Sequence, residues 1–99
     1  MRKHDNPEAC VENLLCKMVK ERGGLCYKWV SPPDNPGVPD RIVITPEGRV
    51  LFVEIKVETG RLQNIQKWQH SRLQECHADV RTVHGVEQVK TFIKEIFQE

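Results

Sequence analysis

Asp40, Glu54 and Lys56 are three side chains that one short hairpin would set on the same face of a sheet. Residues 41–45 and 49–57 are rich in β-branched types and flank Pro46-Glu47-Gly48, which reads as a three-residue loop. Pro46 suits the first corner of a type I turn, and Gly48 the left-handed position after it. Pairing Thr45 with Arg49 sets Asp40 across from Glu54 and puts Lys56 two residues further along that face. A slip of one residue would send the two carboxylates to opposite faces, so the register decides the chemistry.

Two carboxylates on adjoining strands repel, and the cost grows beside apolar neighbours such as Ile42, Ile44, Val50 and Phe52. A divalent cation removes that cost. Hard oxygen ligands without a compact His or Cys set point to magnesium or manganese, which activates water and stabilises charge on a phosphate in attack. Lys56 beside such a cation could orient or deprotonate the water, or neutralise developing charge. The competing reading is an Asp at a strand start and a Glu-Lys pair on a solvated face, but both faces of the second strand are otherwise apolar.

Gly37-Val38-Pro39-Asp40 followed by Phe52-Val53-Glu54-Ile55-Lys56 resembles the PD-(D/E)XK nuclease signature, and specifically the VRR-NUC (virus-type replication-repair nuclease) family. Gly60-Arg61-Leu62 with Gln66 is similar to that family's next motif, and Glu12 on a first helix to its first. The likeness runs from about Glu8 to about Val89. It implies that Asp40 and Glu54 ligate a magnesium or manganese ion with the backbone carbonyl of Ile55. It further implies that Lys56 is the catalytic lysine, that Glu12 reaches the metal directly or through water, and that Gln66 supports the site from the next helix.

Ninety-nine residues make one domain, near the small end for a self-sufficient core, so a partner subunit would help stability. The chain is 38% hydrophobic and 29% charged, ordinary for a soluble globular protein. A formal net charge of +1 neither supports nor excludes nucleic acid. The distribution is more telling: Arg41, Lys56, Arg61, Lys67, His70 and Arg72 fall in or just after the proposed site and could meet phosphates. They could equally be solvated helix and loop charges. No apolar run approaches the roughly 20 residues that span a membrane, so the expected location is intracellular, in the cytoplasm. Cys10, Cys16, Cys26 and Cys76 lack metal-ligand spacing and read as reduced, mostly buried thiols.

The elements that must position these groups follow from pattern. Asn6-Pro7 starts a helix whose stripe is Val11, Leu14, Leu15, Met18 and Val19, and Gly23-Gly24 ends it. Glu12 borders that stripe. Residues 25–30 form a first strand, and the proline-rich residues 31–37 a loop leading into the site. Residues 62–76 read as a helix with Leu62, Ile65, Leu73 and Cys76 inward, interrupted by Gln66 and Gln69, which need polar partners there. Trp68 lies off that stripe and could pack on the domain edge, on a second subunit, or on a base. Residues 79–83 form a strand and 86–97 an amphipathic helix.

The order α-β-β-β-α-β-α predicts an α/β fold with a mixed sheet flanked by helices, which agrees with the restriction-endonuclease-like architecture that the resemblance implies. The activity implied is metal-dependent endonucleolytic hydrolysis of DNA. Single-domain members resemble Holliday-junction resolvases, and a homodimer would present two sites to a symmetric four-way junction. A binding module of the same fold without turnover, and a generic nickase or exonuclease, remain as alternatives.

Overall fold

The hairpin sets the geometry of the whole sheet. A computed structural model describes residues 7–99 and contains α1 (Pro7–Glu21), β1 (Leu25–Lys28), β2 (Arg41–Ile44), β3 (Val50–Lys56), α2 (Asn64–Glu75), β4 (Asp79–His84) and α3 (Gly85–Phe97). This is the predicted order. Asn6, the expected helix start, lies outside the described residues.

The β2–β3 turn closes as its residues require. Thr45 N–H donates to Arg49 O at 2.9 Å, Gly48 N–H to Thr45 O at 2.9 Å, and Gly48 takes φ +91°. The resulting register pairs Arg41 with Val53, Ile42 with Phe52 and Val43 with Leu51. β1 adds antiparallel to β2, and β4 adds parallel to β3 through the α2 crossover, giving the order β1-β2-β3-β4.

Side-chain alternation gives the sheet two unlike faces. Leu51, Val53 and Ile55 of β3 point to one side and join Val43, Val83, Val11, Leu15, Val19, Val89, Phe92, Ile93 and Ile96 in a single buried core under α1 and α3. Phe52, Glu54 and Lys56 point to the other side, which α2 covers. α1 ends as expected, with Gly23 at φ +83° donating to Lys20 O and Gly24 donating to Val19 O, so the last carbonyls are satisfied.

The inward face of α2 differs from the one that hydrophobic periodicity predicts. Gln69 and His70 are buried, whereas Ile65 is 38% exposed and Cys76 is also exposed. The reason is what lies opposite: α2 packs on polar groups of the sheet and the proline loop, so its buried residues are hydrogen-bonders. Gln69 Nε2 donates to Asn35 Oδ1 at 2.5 Å and Pro36 O at 2.9 Å, tying the loop to the helix. In that loop Gly37 adopts φ +89°, and a Cβ there would lie 3.0 Å from the Ile65 carbonyl. Close passage of the α2 backbone therefore accounts for this glycine. Among the described residues, no helix is long and apolar enough to cross a membrane.

Candidate active site

The open end of the hairpin brings Asp40, Glu54 and Lys56 together. Asp40 immediately precedes β2; its N–H donates to Val53 O at 3.1 Å and its carbonyl accepts from Trp29 N–H at 2.9 Å. These bonds fix the backbone on both sides, and the carboxylate Oδ2 accepts the Ile55 N–H at 2.7 Å. In a strand, a residue's N–H and C=O point to the same side. The Ile55 carbonyl therefore faces the Asp40 side, beyond the last pair of the β2–β3 ladder.

Glu54 is only 2% exposed. Burial, then the neighbouring Asp40 carboxylate and a side-chain hydrogen bond shared with it, push its pKa up to about 8; Lys56 opposes the rise and Glu8 adds to it. Glu54 therefore favours its protonated form near neutrality. Lys56 Nζ lies 4.0 Å from Glu54 Oε2 and its side chain is 13% exposed.

α2 grips Glu54 from above. Gln66 Nε2 donates to Glu54 Oε2 at 3.1 Å, and His70 Nε2 lies 3.4 Å from Oε1. Gln66 Oε1 accepts the Gln63 N–H at 2.9 Å, the reciprocal half of a capping box at the start of α2. Gln66 thus links the first turn of α2 to Glu54.

Three of the expected residues have partners of their own within the fold. Glu12 Oε2 accepts from Arg41 Nε at 2.6 Å. Arg41 pairs with Val53, so it projects to the α1 side of the sheet, opposite to Glu54, and meets Glu12 there. The same bond, with a second from Nη1 to Cys26 O at 3.4 Å, engages the Arg41 guanidinium that was expected to meet DNA. His70, also expected on phosphate, is buried against Glu54. Arg61 and Lys67 are exposed, as a phosphate contact requires.

The α1 carboxylate that acts on Glu54 is Glu8, in the first turn of the helix. Glu8 and Glu12 lie four apart and share a helix stripe, so that spacing was a signal for Glu8 as well. What separates them is height along the helix relative to the sheet. The cysteines also depart in part from expectation: Cys26 is buried and Cys16 partly so, with their Sγ atoms 3.0 Å apart, but Cys10 and Cys76 are exposed.

The donor set suits a hard divalent cation. Asp40, buried Glu54 and the Ile55 carbonyl are oxygen ligands, and a cation would take the place of the proton on Glu54. Among the described residues no group of three or more His, Cys, Asp and Glu converges as a metal cage, so water or phosphate oxygens would complete the shell, as magnesium prefers.

No family model matches the chain. It is 41% identical over 66 residues, 67% of its own length and 70% of the relative's, to "Putative nuclease p44" of Acyrthosiphon pisum secondary endosymbiont phage 1. Its fold superposes on a solved VRR-NUC domain with a TM-score of 0.84 at 31% identity, covering 91% of this chain and 97% of the other. Taken with the Asp40, Glu54, Lys56 and Gln66 constellation, these likenesses settle the family: the chain belongs to the phage-type VRR-NUC nucleases.

Proposed function

We propose that this protein is a magnesium- or manganese-dependent DNA endonuclease acting on branched substrates, with the four-way junction as its preferred one. The observation that carries the reading is Asp40 facing buried Glu54, with Lys56 beside them, on the open end of the hairpin. Asp40, Glu54 and the Ile55 carbonyl would hold the cation, with the Glu8 carboxylate adding negative charge from α1. When bound, the cation supplies a Lewis acid and a water of lowered pKa. Lys56 presents an ammonium at the same point, where it orients the incoming water or offsets charge on the phosphate. Gln66 holds the Glu54 carboxylate in place, and exposed Arg61 and Lys67 neutralise flanking phosphates.

A homodimer fits the substrate. Trp68 is 51% exposed on the outward side of α2, near exposed Ile65, and an aromatic of that size left in water is a common mark of an interface. Two subunits related by a two-fold axis would offer paired sites to a symmetric junction.

The test is cleavage of a labelled four-way junction, with linear duplex, flap and single-strand controls, in magnesium and in manganese, by wild type and Lys56→Ala. Paired symmetric cuts in the junction alone, lost in Lys56→Ala, are expected. Equal cutting of all substrates would replace the reading with a nonspecific nuclease. Junction binding without cutting in either metal would replace it with a binding module.

A further inference from the structure

His70 carries a buried imidazole for which a plain helix surface has no use. The residue is 7% exposed, and its Nε2 is 3.4 Å from Glu54 Oε1. One helical turn earlier, Gln66 Nε2 reaches the other oxygen of the same carboxylate at 3.1 Å. Residues four apart stack on one helix face, so α2 lays two nitrogens along the two oxygens of Glu54.

The donor inventory fixes the direction of both bonds. Gln66 Oε1 is taken by the Gln63 N–H, which leaves its NH₂ for Glu54. An ionised carboxylate only accepts, so beside a cation-binding Glu54 the His70 proton belongs on Nε2. His70 thus offers a ring nitrogen from a residue buried beside the acid. Lys56 Nζ, at 4.0 Å from Oε2, is too distant to share this role.

We propose that His70 is a positioning residue for the cation site: its Nε2–H holds Glu54 Oε1 while Gln66 holds Oε2, so that the carboxylate presents its remaining lone pairs toward Asp40 and a divalent cation. The inference rests on the metal-dependent reading above. A glutamate has three side-chain torsions, and one donor leaves its carboxylate free to turn about that single bond; two donors on one rigid helix do not. Partners of this kind commonly govern metal affinity by about 10- to 100-fold.

The experiment is a titration of Mn²⁺ into the DNA-free protein, followed by electron paramagnetic resonance of the free ion, for wild type, His70→Leu and His70→Gln, with thermal midpoints of the metal-free proteins alongside. Leu fills the space without a donor, and the Gln amide nitrogen reaches about as far as imidazole Nε2. The expected result is a Kd for Mn²⁺ raised about 10- to 100-fold in His70→Leu and largely restored in His70→Gln. Wild-type affinity in His70→Leu would overturn the proposal, as would an equal loss in both variants, which would make His70 a packing residue. Absence of Mn²⁺ binding by the wild type would instead remove the metal-dependent reading on which the proposal stands.

Discussion

Gln66 donates to Glu54 at 3.1 Å with the same amide whose oxygen closes the first turn of α2 on Gln63. One side chain therefore starts the helix and steadies the acid. Replacing it with leucine removes both bonds and is expected to destabilise the fold by about 1–3 kcal/mol, the sum of a lost cap and a lost bond to a carboxyl group. Gln66→Glu keeps the capping box but sets a carboxylate against Glu54, so it should recover helix stability and not cleavage. Urea unfolding and junction cleavage of the two variants check this; equal loss of cleavage and stability in both would mean that the contact to Glu54 is incidental.

The pH dependence of stability follows from the proton held at Glu54. Its folded pKa of about 8 lies above the ordinary carboxyl value of 4.5, so between these limits the folded state keeps a proton that the unfolded chain releases. With the metal removed by chelator, this group contributes no penalty below about pH 4.5; its penalty grows through the window and is complete above about pH 8. The melting temperature of the metal-free protein should therefore fall from pH 5.5 to pH 8.5, and Glu54→Gln should flatten that fall. Added Mn²⁺ should raise the midpoint more at pH 8.5 than at pH 5.5, because only the ionised pair binds it well. A rise of equal size at both pH values would contradict the assignment.

Glu12 and Glu8 should separate stability from activity. Glu12 binds Arg41 in a partly buried pair on the α1 side of the sheet, and Glu12→Ala leaves that guanidinium without its carboxylate. A loss of about 1–3 kcal/mol is expected, with the cleavage rate of the folded fraction retained. Glu8→Gln should lower cleavage and Mn²⁺ affinity, since it removes negative charge that acts on Glu54. Cleavage that fails with Glu12→Ala and survives Glu8→Gln would restore the role the motif assigned to Glu12.

These residues also show where sequence reasoning reaches and where it stops. The Asp40–Glu54–Lys56 geometry was legible because a proline, a glycine and strict alternation fix a hairpin's register locally. The buried face of α2 was legible only in part: Gln69 was read as inward and in need of a polar partner, but its partners Asn35 and Pro36, and the Glu54 that buries His70, lie far along the chain. A hydrophobic stripe records burial against apolar neighbours and is silent about burial against polar ones. Arg41 shows a related limit: nearness in sequence to Asp40 suggested the site, while alternation sends its side chain through to the other face, where it meets Glu12.

The thiols should divide by exposure and environment. Cys26 is buried, and burial, followed by its contact with Cys16, pushes its pKa up to about 12. A thiol so held has almost no thiolate at pH 8 and is a poor nucleophile. Cys10 and Cys76 are exposed. Iodoacetamide at pH 8 should therefore modify Cys10 and Cys76 in the folded protein and reach Cys26 only after denaturation, as peptide mass mapping would read. Early labelling of Cys26 would mean that β1 detaches from α1 in solution.

Trp68 gives the subunit arrangement a direct test. Half of its surface is in water, the Arg72 guanidinium lies 4.7 Å from its ring centre, and neither residue contacts Glu54. Covering that ring with a second subunit would remove apolar area worth about 25 cal/mol per Å², enough for its loss to shift a modest dimer toward monomer. Sedimentation of Trp68→Ser at micromolar concentration should show that shift, while Mn²⁺ affinity stays at the wild-type value because Gln66 and His70 occupy the opposite side of α2. The monomer should still nick a junction but lose the pairing of its two cuts. Dimers unchanged by Trp68→Ser, with weaker junction binding, would assign this ring to the nucleic acid instead.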